Sequence, residues 1–126
     1  MRRLAATVLL VFVAAASAAA AASTIRVTIT ASHTVKANAK WPVVVRVTDA
    51  AGKPLAGTLT NNIVLGGIPV GKVDNGKVWH FRGSWREPTG QEITWPAAGK
   101  GQTFGFQTVV RVNGRKVKKT FLVTVH

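Results

Sequence analysis

The sequence contains no cysteine and no tyrosine, and it has only three histidines and four acidic residues among 126. The absence of cysteine excludes disulfide scaffolds, cysteine-ligated zinc or iron–sulfur sites, and thiol chemistry. The scarcity of acids makes catalysis by paired carboxylates difficult to arrange. Against these four acids stand 17 lysines and arginines, so the formal net charge is +13.

The N-terminal segment has the order of a secretory signal peptide. A cationic start, Met1-Arg2-Arg3, precedes an apolar run over residues 4–16, and small residues with Ala-x-Ala spacing follow. An uncleaved membrane anchor is the alternative, but the run is short for that purpose. We predict a signal peptide over residues 1–23 and one exported domain over residues 24–126, secreted or held in the cell envelope. Without Arg2 and Arg3 the charge falls from +13 to +11.

The exported part has the pattern of strands and turns. Apolar and polar residues alternate over residues 25–30 and 41–48, which is the period of a strand with one buried face. A further apolar stretch over residues 55–65 is interrupted by Asn61-Asn62. Turn residues separate such stretches at intervals of about 8–12 residues. This spacing predicts an all-β, immunoglobulin-like sandwich of about seven or eight antiparallel strands.

Two Asn-Gly pairs, Asn75-Gly76 and Asn113-Gly114, each predict a two-residue hairpin turn, because both residue types tolerate positive φ. The second hairpin specifies its own register, since only one pairing puts its apolar residues on a single face. Thr108 then falls opposite Lys119 on that face, which predicts a bulge or a strand end. The predicted pairs are Arg111 with Lys116, Val110 with Val117, Phe106 with Phe121, and Phe104 with Val123.

The segment from Val45 to Gly57 resembles a recurrent segment of bacterial immunoglobulin-like domains. It consists of a valine-rich strand, then Asp49, Gly52 and Pro54, and then a second strand. Invasin/intimin-type repeats and small exported domains of the YtkA-like kind have this pattern. The resemblance implies the sandwich fold and no particular function. It transfers no binding residues, because the matched positions belong to a turn and a core.

Three constellations could carry catalysis or bind metal, and each has a simpler interpretation. His33, His80 and His126 are isolated and lack the close spacing of metal ligands. His80 and Ser84, which with Asp74 could form a triad, lie ~13 Å apart on a strand, beyond hydrogen-bond reach. We therefore predict no enzyme activity, no metal and no cofactor.

The remaining constellation is a pair of carboxylates, Glu87 and Glu92. They flank a turn at Pro88-Thr89-Gly90 and could approach each other for acid–base work. In so basic a chain we expect them instead to form ion pairs with Arg82 or Arg86.

The second hairpin is the leading candidate for a binding surface. Arg111, Lys116 and Lys118 share its polar face in the predicted register, and Arg115 and Lys119 lie at the turn and its flank. Like charges directly opposite each other are destabilising, and a bound polyanion would relieve them. The alternative is a solvated edge whose lysines prevent aggregation.

Export directs the choice of partner for this surface. It favours an anionic cell-envelope polymer or a membrane surface over nucleic acid, for which the sequence has no binding motif. A protein partner and the oligomeric state stay open.

A different class of function would use tryptophans. Trp79, Trp85 and Trp95 lie near strand ends beside loops, where an exposed indole could stack on a carbohydrate or another small ligand. Tryptophans in a small sandwich also fill the core. The exposure of these tryptophans therefore distinguishes the two hypotheses: exposed indoles favour a ligand-binding module, and buried indoles favour anion binding by the second hairpin.

Overall fold

The computed structural model describes residues 24–126, so the predicted signal peptide lies outside the described residues. The predicted fold class is confirmed: the described chain is an all-β sandwich, and no helix in it is long and apolar enough to span a membrane. The strands are β1 (Arg26–Ala31), β2 (Thr34–Val35), β3 (Lys40–Trp41), β4 (Val43–Thr48), β5 (Ala56–Leu65), β6 (Ile68–Lys72), β7 (Trp79–Arg82), β8 (Ser84–Arg86), β9 (Ile93–Thr94), β10 (Thr103–Val112) and β11 (Arg115–Val125).

The strands form two layers. One layer contains β1, β4 and β8, and the other contains β7, β5, β10, β11 and β2 in that order. Strand β6 belongs to the second layer as well, because it pairs with the part of β5 that β7 leaves free. Strands β3 and β9 form a separate two-stranded ribbon. The pairing of β2 with β11 is parallel, and the other pairs are antiparallel.

The two layers are joined at Gly83. The chain pairs with β5 before this residue and with β4 after it. Gly83 has a φ of 79°, which glycine adopts without steric cost. Three backbone hydrogen bonds close the junction in a ring: Val47 N–H donates to Gly83, Gly83 N–H to Leu55, and Leu55 N–H to Val47, at 2.8, 2.8 and 3.1 Å.

The hairpin at Asn113-Gly114 has the predicted register, including Arg111 opposite Lys116 and Phe106 opposite Phe121. Asn113 and Gly114 have φ angles of 50° and 77°, as a type I′ turn requires. The bulge or strand end expected at Thr108 is absent from this hairpin, and Thr108 pairs with Lys119 without interruption.

The hairpin predicted at Asn75-Gly76 is wrong. Residues Val73–Gly76 form a 3-10 turn in which Asp74 and Asn75 both have φ angles of 54°. The strands on either side, β6 and β7, do not pair with each other, because both pair with successive parts of β5. Asn75 does adopt a positive φ, but it does so in the connection between β6 and β7, which lie end to end along β5.

The core lies between the layers and is rich in valine and aromatic residues. Strand β5 runs through Asn61-Asn62, and Asn61 points inward and is fully buried. Beside it, Thr108 is also fully buried, and neither side chain has a hydrogen-bond partner among the described residues. The largest fully buried apolar side chains are Trp41, Phe106, Leu59, Val45, Val47, Val110, Val123 and Val125.

Candidate functional site

Three basic side chains share the outer side of the terminal hairpin. Arg111 on β10 lies directly opposite Lys116 on β11, and Lys118 follows two positions along the same strand. All three are exposed, whereas Val110 and Val112 on the other side of β10 are buried. Because side chains alternate between the faces of a strand, these three lie on one surface. We call them the basic face.

Lys116 and Arg111 begin a row of residues that lie side by side on neighbouring strands, and this row continues across β5 and β7. Arg111 pairs with Thr58 on β5, and Thr58 pairs with His80 on β7. His80 is exposed, so the row presents three nitrogen-bearing side chains, from Lys116, Arg111 and His80, to solvent. The outer surface of this layer therefore carries the imidazole of His80 two strands away from Arg111.

Arg115 and Lys119 lie on the opposite side of β11. They are exposed, but they pair with Val112 and Thr108, which face the core. The alternation of β11 thus separates them from Lys116 and Lys118. Of the five candidate residues, the fold brings three onto one surface and places the other two behind it.

Two of the four acidic residues are engaged in turns. Asp49 Oδ1 accepts hydrogen bonds from Ala51 N–H and Lys53 N–H, both at 2.9 Å. Glu92 accepts the Gly90 N–H at 3.0 Å, and this hydrogen bond holds the pKa of Glu92 below its usual range. Neither carboxylate forms an ion pair with a residue of the basic face.

Glu92 also forms the one salt bridge found among the described residues, 3.9 Å from Lys40 Nζ. The expectation that Glu87 and Glu92 would pair with Arg82 or Arg86 is therefore wrong. The cation beside Glu92 comes from β3, and Glu87 is turned inward.

Glu87 continues the inward side of β8 and is only 6% exposed. Burial raises its pKa to about 8, and the Asp74 carboxyl beside it acts in the same direction. No described donor reaches either oxygen of the Glu87 carboxyl. The raised pKa favours the protonated form of Glu87 at neutral pH, and none of the four acids forms a salt bridge with the basic face in the described chain.

The fold separates the residues of the hypothetical triad and of the hypothetical metal site. His80 pairs with Thr58 and Ser84 with Arg46, on either side of Gly83. His33 instead packs on the hairpin, where its ring stacks on Phe121 at 4.0 Å between centroids. No group of three potential metal ligands occurs among the described residues.

The tryptophans considered for ligand stacking are largely internal. Trp85 and Trp95 are 6% and 3% exposed, and Trp95 packs edge-on against Trp41 with 5.5 Å between ring centroids. Trp79 is half-buried, and Lys77 Nζ lies 4.1 Å from the centroid of its ring. This burial favours the core interpretation of these side chains over the stacking one.

A cleft of about 400 Å³ opens between β6 and the segment around β9. Val70, Trp95 and Phe104 contribute apolar walls, and Asp74 and Glu92 contribute acidic ones. Sequence reasoning missed this cleft because its walls come from segments distant in the chain. No periodicity or motif signals such an arrangement.

Comparison with known proteins supports the fold and goes no further. No family model matches the chain, and no curated protein matches it. Among solved structures, the chain is similar to the crystal structure of a CARDB domain from a Pyrococcus furiosus protein in complex with di-metal ions. The TM-score is 0.50 and the sequence identity 17%, over 83% of this chain and 94% of that one. The likeness to invasin/intimin-type or YtkA-like domains in particular stays a prediction.

Proposed function

We propose that this protein is a non-catalytic, exported domain that attaches to an anionic component of the bacterial envelope through the basic face. One observation carries the proposal: Arg111 and Lys116 are paired across two strands, with Lys118 beside them, and no carboxylate of the described residues forms a salt bridge with any of the three. Such a pair destabilises the folded domain by roughly 0.2–1 kcal/mol. A bound polyanion would remove that repulsion.

The expected strength follows from charge. Each lysine or arginine close to an anionic surface contributes about 1 kcal/mol to binding. The three residues of the basic face would together strengthen binding roughly 100-fold. The long-range field of a domain with a charge of +11 would add to the rate of association. The attraction should weaken as salt screens it.

The test is retention on an immobilised poly(glycerol phosphate) wall polymer over a salt series. The variant carries Arg111→Glu, Lys116→Glu and Lys118→Glu. The matched control carries Lys36→Glu, Lys53→Glu and Lys100→Glu, which change the net charge equally at exposed positions in loops. We expect the first variant to elute at much lower salt than the control. Equal elution of the two variants would refute the proposal.

A second candidate function, small-ligand binding, has the cleft beside Trp95 in its favour, because its volume lies in the usual range for ligand sites. Glycan-dependent tryptophan fluorescence that is insensitive to salt would support it. The metal bound by the CARDB domain does not extend this candidate, because the described residues include no group of three metal ligands.

A further inference from the structure

We propose that the anionic polymer crosses the outer side of the sheet, and that two amide side chains in its path, Asn62 and Gln107, select polymers whose repeating unit carries a hydroxyl group. This inference rests on the proposed function, since it identifies the partner of the basic face by its chemistry. It starts from the strands that continue the sheet beyond the basic face. We call the side chains that β5, β6, β7, β10 and β11 turn away from the core the outer face.

The outer face carries two further cations on the side away from the terminal hairpin. Asn62 lies on the outer face because its neighbour Asn61 points inward, and Lys72 on β6 is paired with Asn62. Arg82 follows His80 by two positions on β7, so alternation places both of them on the outer face. Lys72 and Arg82 are exposed, and neither forms a salt bridge with a described residue.

The five strands of the outer face contain no aspartate or glutamate. A strip of uncharged side chains separates the basic face from the two further cations. Its apolar member, Val109, is covered by its neighbours and only 7% exposed. The polar members of the strip are Thr58, Thr60, Asn62, Gln107 and Thr120. Cations therefore border a strip of hydroxyl and amide groups.

The two amides lie between the two groups of cations. One row across the sheet runs through Lys72, Asn62, Gln107 and Thr120. Lys118 precedes Thr120 by two positions on β11, so a polymer that joins Lys118 to Lys72 passes over both amides. Its path spans three strand spacings, which is roughly 15 Å.

Amide side chains are suited to the recognition of hydroxyl groups. A carboxamide both donates and accepts hydrogen bonds, as a hydroxyl group does. Gln107 Nε2 donates to Thr120 Oγ1 at 3.3 Å, and this contact holds the Gln107 side chain across the outer face. Asn62 lies directly opposite Gln107 on the other side. A polymer with hydroxyl groups between its phosphates would satisfy the cations and the amides together.

The twist of the sheet decides between the possible occupants. Adjacent strands rotate by about 20–25°, so β6 is rotated by about 60–75° relative to β11, three strands away. Cations on these two strands point in different directions, so a planar bilayer meets only one group of them, whereas a flexible polymer follows the twist. A second copy of this chain would bring two strongly positive molecules together, which opposes association.

The first experiment measures how far the polymer reaches across the sheet. The logarithm of the association constant falls linearly with the logarithm of the salt concentration, and the slope counts the cations in contact. The far-side variant carries Lys72→Gln and Arg82→Gln. The control carries Lys53→Gln and Lys100→Gln, which remove the same charge outside the five strands. We expect the far-side variant to reduce the slope for poly(glycerol phosphate) by about 0.7 for each lost contact, and the control to leave it unchanged.

The second experiment tests the selection of hydroxyl groups with the unmodified protein. Poly(trimethylene phosphate) has the charge spacing of poly(glycerol phosphate) but lacks its hydroxyl group. We expect the hydroxyl-bearing polymer to bind roughly tenfold more tightly, because two net hydrogen bonds contribute about that factor. A variant with Asn62→Val and Gln107→Val should bind both polymers equally, since valine suits a strand and forms no side-chain hydrogen bond. Equal binding of both polymers by the unmodified protein would overturn the selection.

The remaining outcomes separate this inference from the proposed function. If the variant with glutamate at positions 111, 116 and 118 eluted with its control, both proposals would fail. If that variant lost binding while the far-side variant kept the full salt slope, the basic face would keep its function and the path across the sheet would be wrong. Stronger retention of the unmodified protein on phosphatidylglycerol vesicles than on the polymer would identify a membrane as the partner and overturn the inference.

Discussion

The carboxyl group of Glu87 lies beside that of Asp74, beneath the surface of a protein whose net charge is +13. None of the arginines or lysines pairs with Glu87 in the described chain, although basic residues outnumber acids fourfold. With its pKa raised, Glu87 holds a proton in the folded domain over a pH range in which the unfolded chain has released it. Burial of Glu87, reinforced by the nearby Asp74 carboxyl, therefore makes stability depend on pH.

The first prediction concerns this pH dependence. Glu87 has an ordinary pKa of 4.5 when exposed and about 8 in the folded domain. Between these values the folded state binds more protons, so the free energy of unfolding falls as pH rises. The slope is up to about 1.4 kcal/mol per pH unit. Glu87→Gln should flatten it, as measured by urea unfolding at pH 5, 7 and 9.

Glu92→Gln is the control for this experiment. The ordinary pKa of Glu92 is 4.5 and the Gly90 N–H lowers it in the folded domain, so this acid is ionised in both states at pH 7 and pH 9 and adds no slope between them. Its substitution should leave the decline with pH intact. If Glu87→Gln and the unmodified protein lost stability in parallel, Glu87 would not be the group that holds the proton.

The second prediction separates stability from binding at the basic face. Lys116→Thr removes the like charge opposite Arg111 and should raise the free energy of unfolding by about 0.5 kcal/mol. The same change should weaken binding to anionic polymer. Arg46→Thr is the control, because Arg46 pairs with Thr28 and Ser84 and faces no like charge across the strands. A loss of stability on Lys116→Thr would show that the pair is not repulsive.

The third prediction concerns the close approach of β5 to β10. A Cβ at Gly57 would collide with the backbone oxygen of Arg111, so Gly57→Ala should lower the free energy of unfolding by about 2–3 kcal/mol. Gly71→Ala is the control, since a Cβ there meets no atom within 4 Å. Thermal unfolding of both variants checks the prediction, and equal melting temperatures would contradict it.

The fourth prediction concerns the polar residues in the core. Thr108 is fully buried, and its hydroxyl has no partner in the described chain. Thr108→Val keeps its shape and should raise the free energy of unfolding by about 1 kcal/mol. Thr103→Val should not, because the Thr103 hydroxyl lies 2.8 Å from that of Thr124. A destabilised Thr108→Val variant would indicate that the hydroxyl has a partner in solution.

The two Asn-Gly pairs show how far the sequence predicts this fold. At Asn113-Gly114 the flanking residues match across the turn, so local pattern and tertiary pairing agree and the register is confirmed. At Asn75-Gly76 they disagree, because β6 and β7 both find better partners on β5. Alternation along one segment does not reveal pairing with a distant segment, so the sequence could not show that Asn75-Gly76 forms no hairpin.

Local sequence patterns also predicted only those parts of the site that lie within one hairpin. The position of Arg111 opposite Lys116 followed from the register of one hairpin. The burial of Glu87 beside Asp74 depends on where β8 lies relative to the turn after β6, which no local pattern encodes. The cleft beside Trp95 likewise joins segments far apart in the chain.

The most direct test of the central claim is to map the binding surface residue by residue. Amide chemical shifts of the labelled protein would be followed during titration with soluble poly(glycerol phosphate). Binding through the basic face predicts the largest changes at Arg111, Lys116 and Lys118, with smaller changes along the row at Thr58 and His80. Changes confined to the cleft around Trp95 and Phe104, or spread evenly over the basic loops, would contradict it.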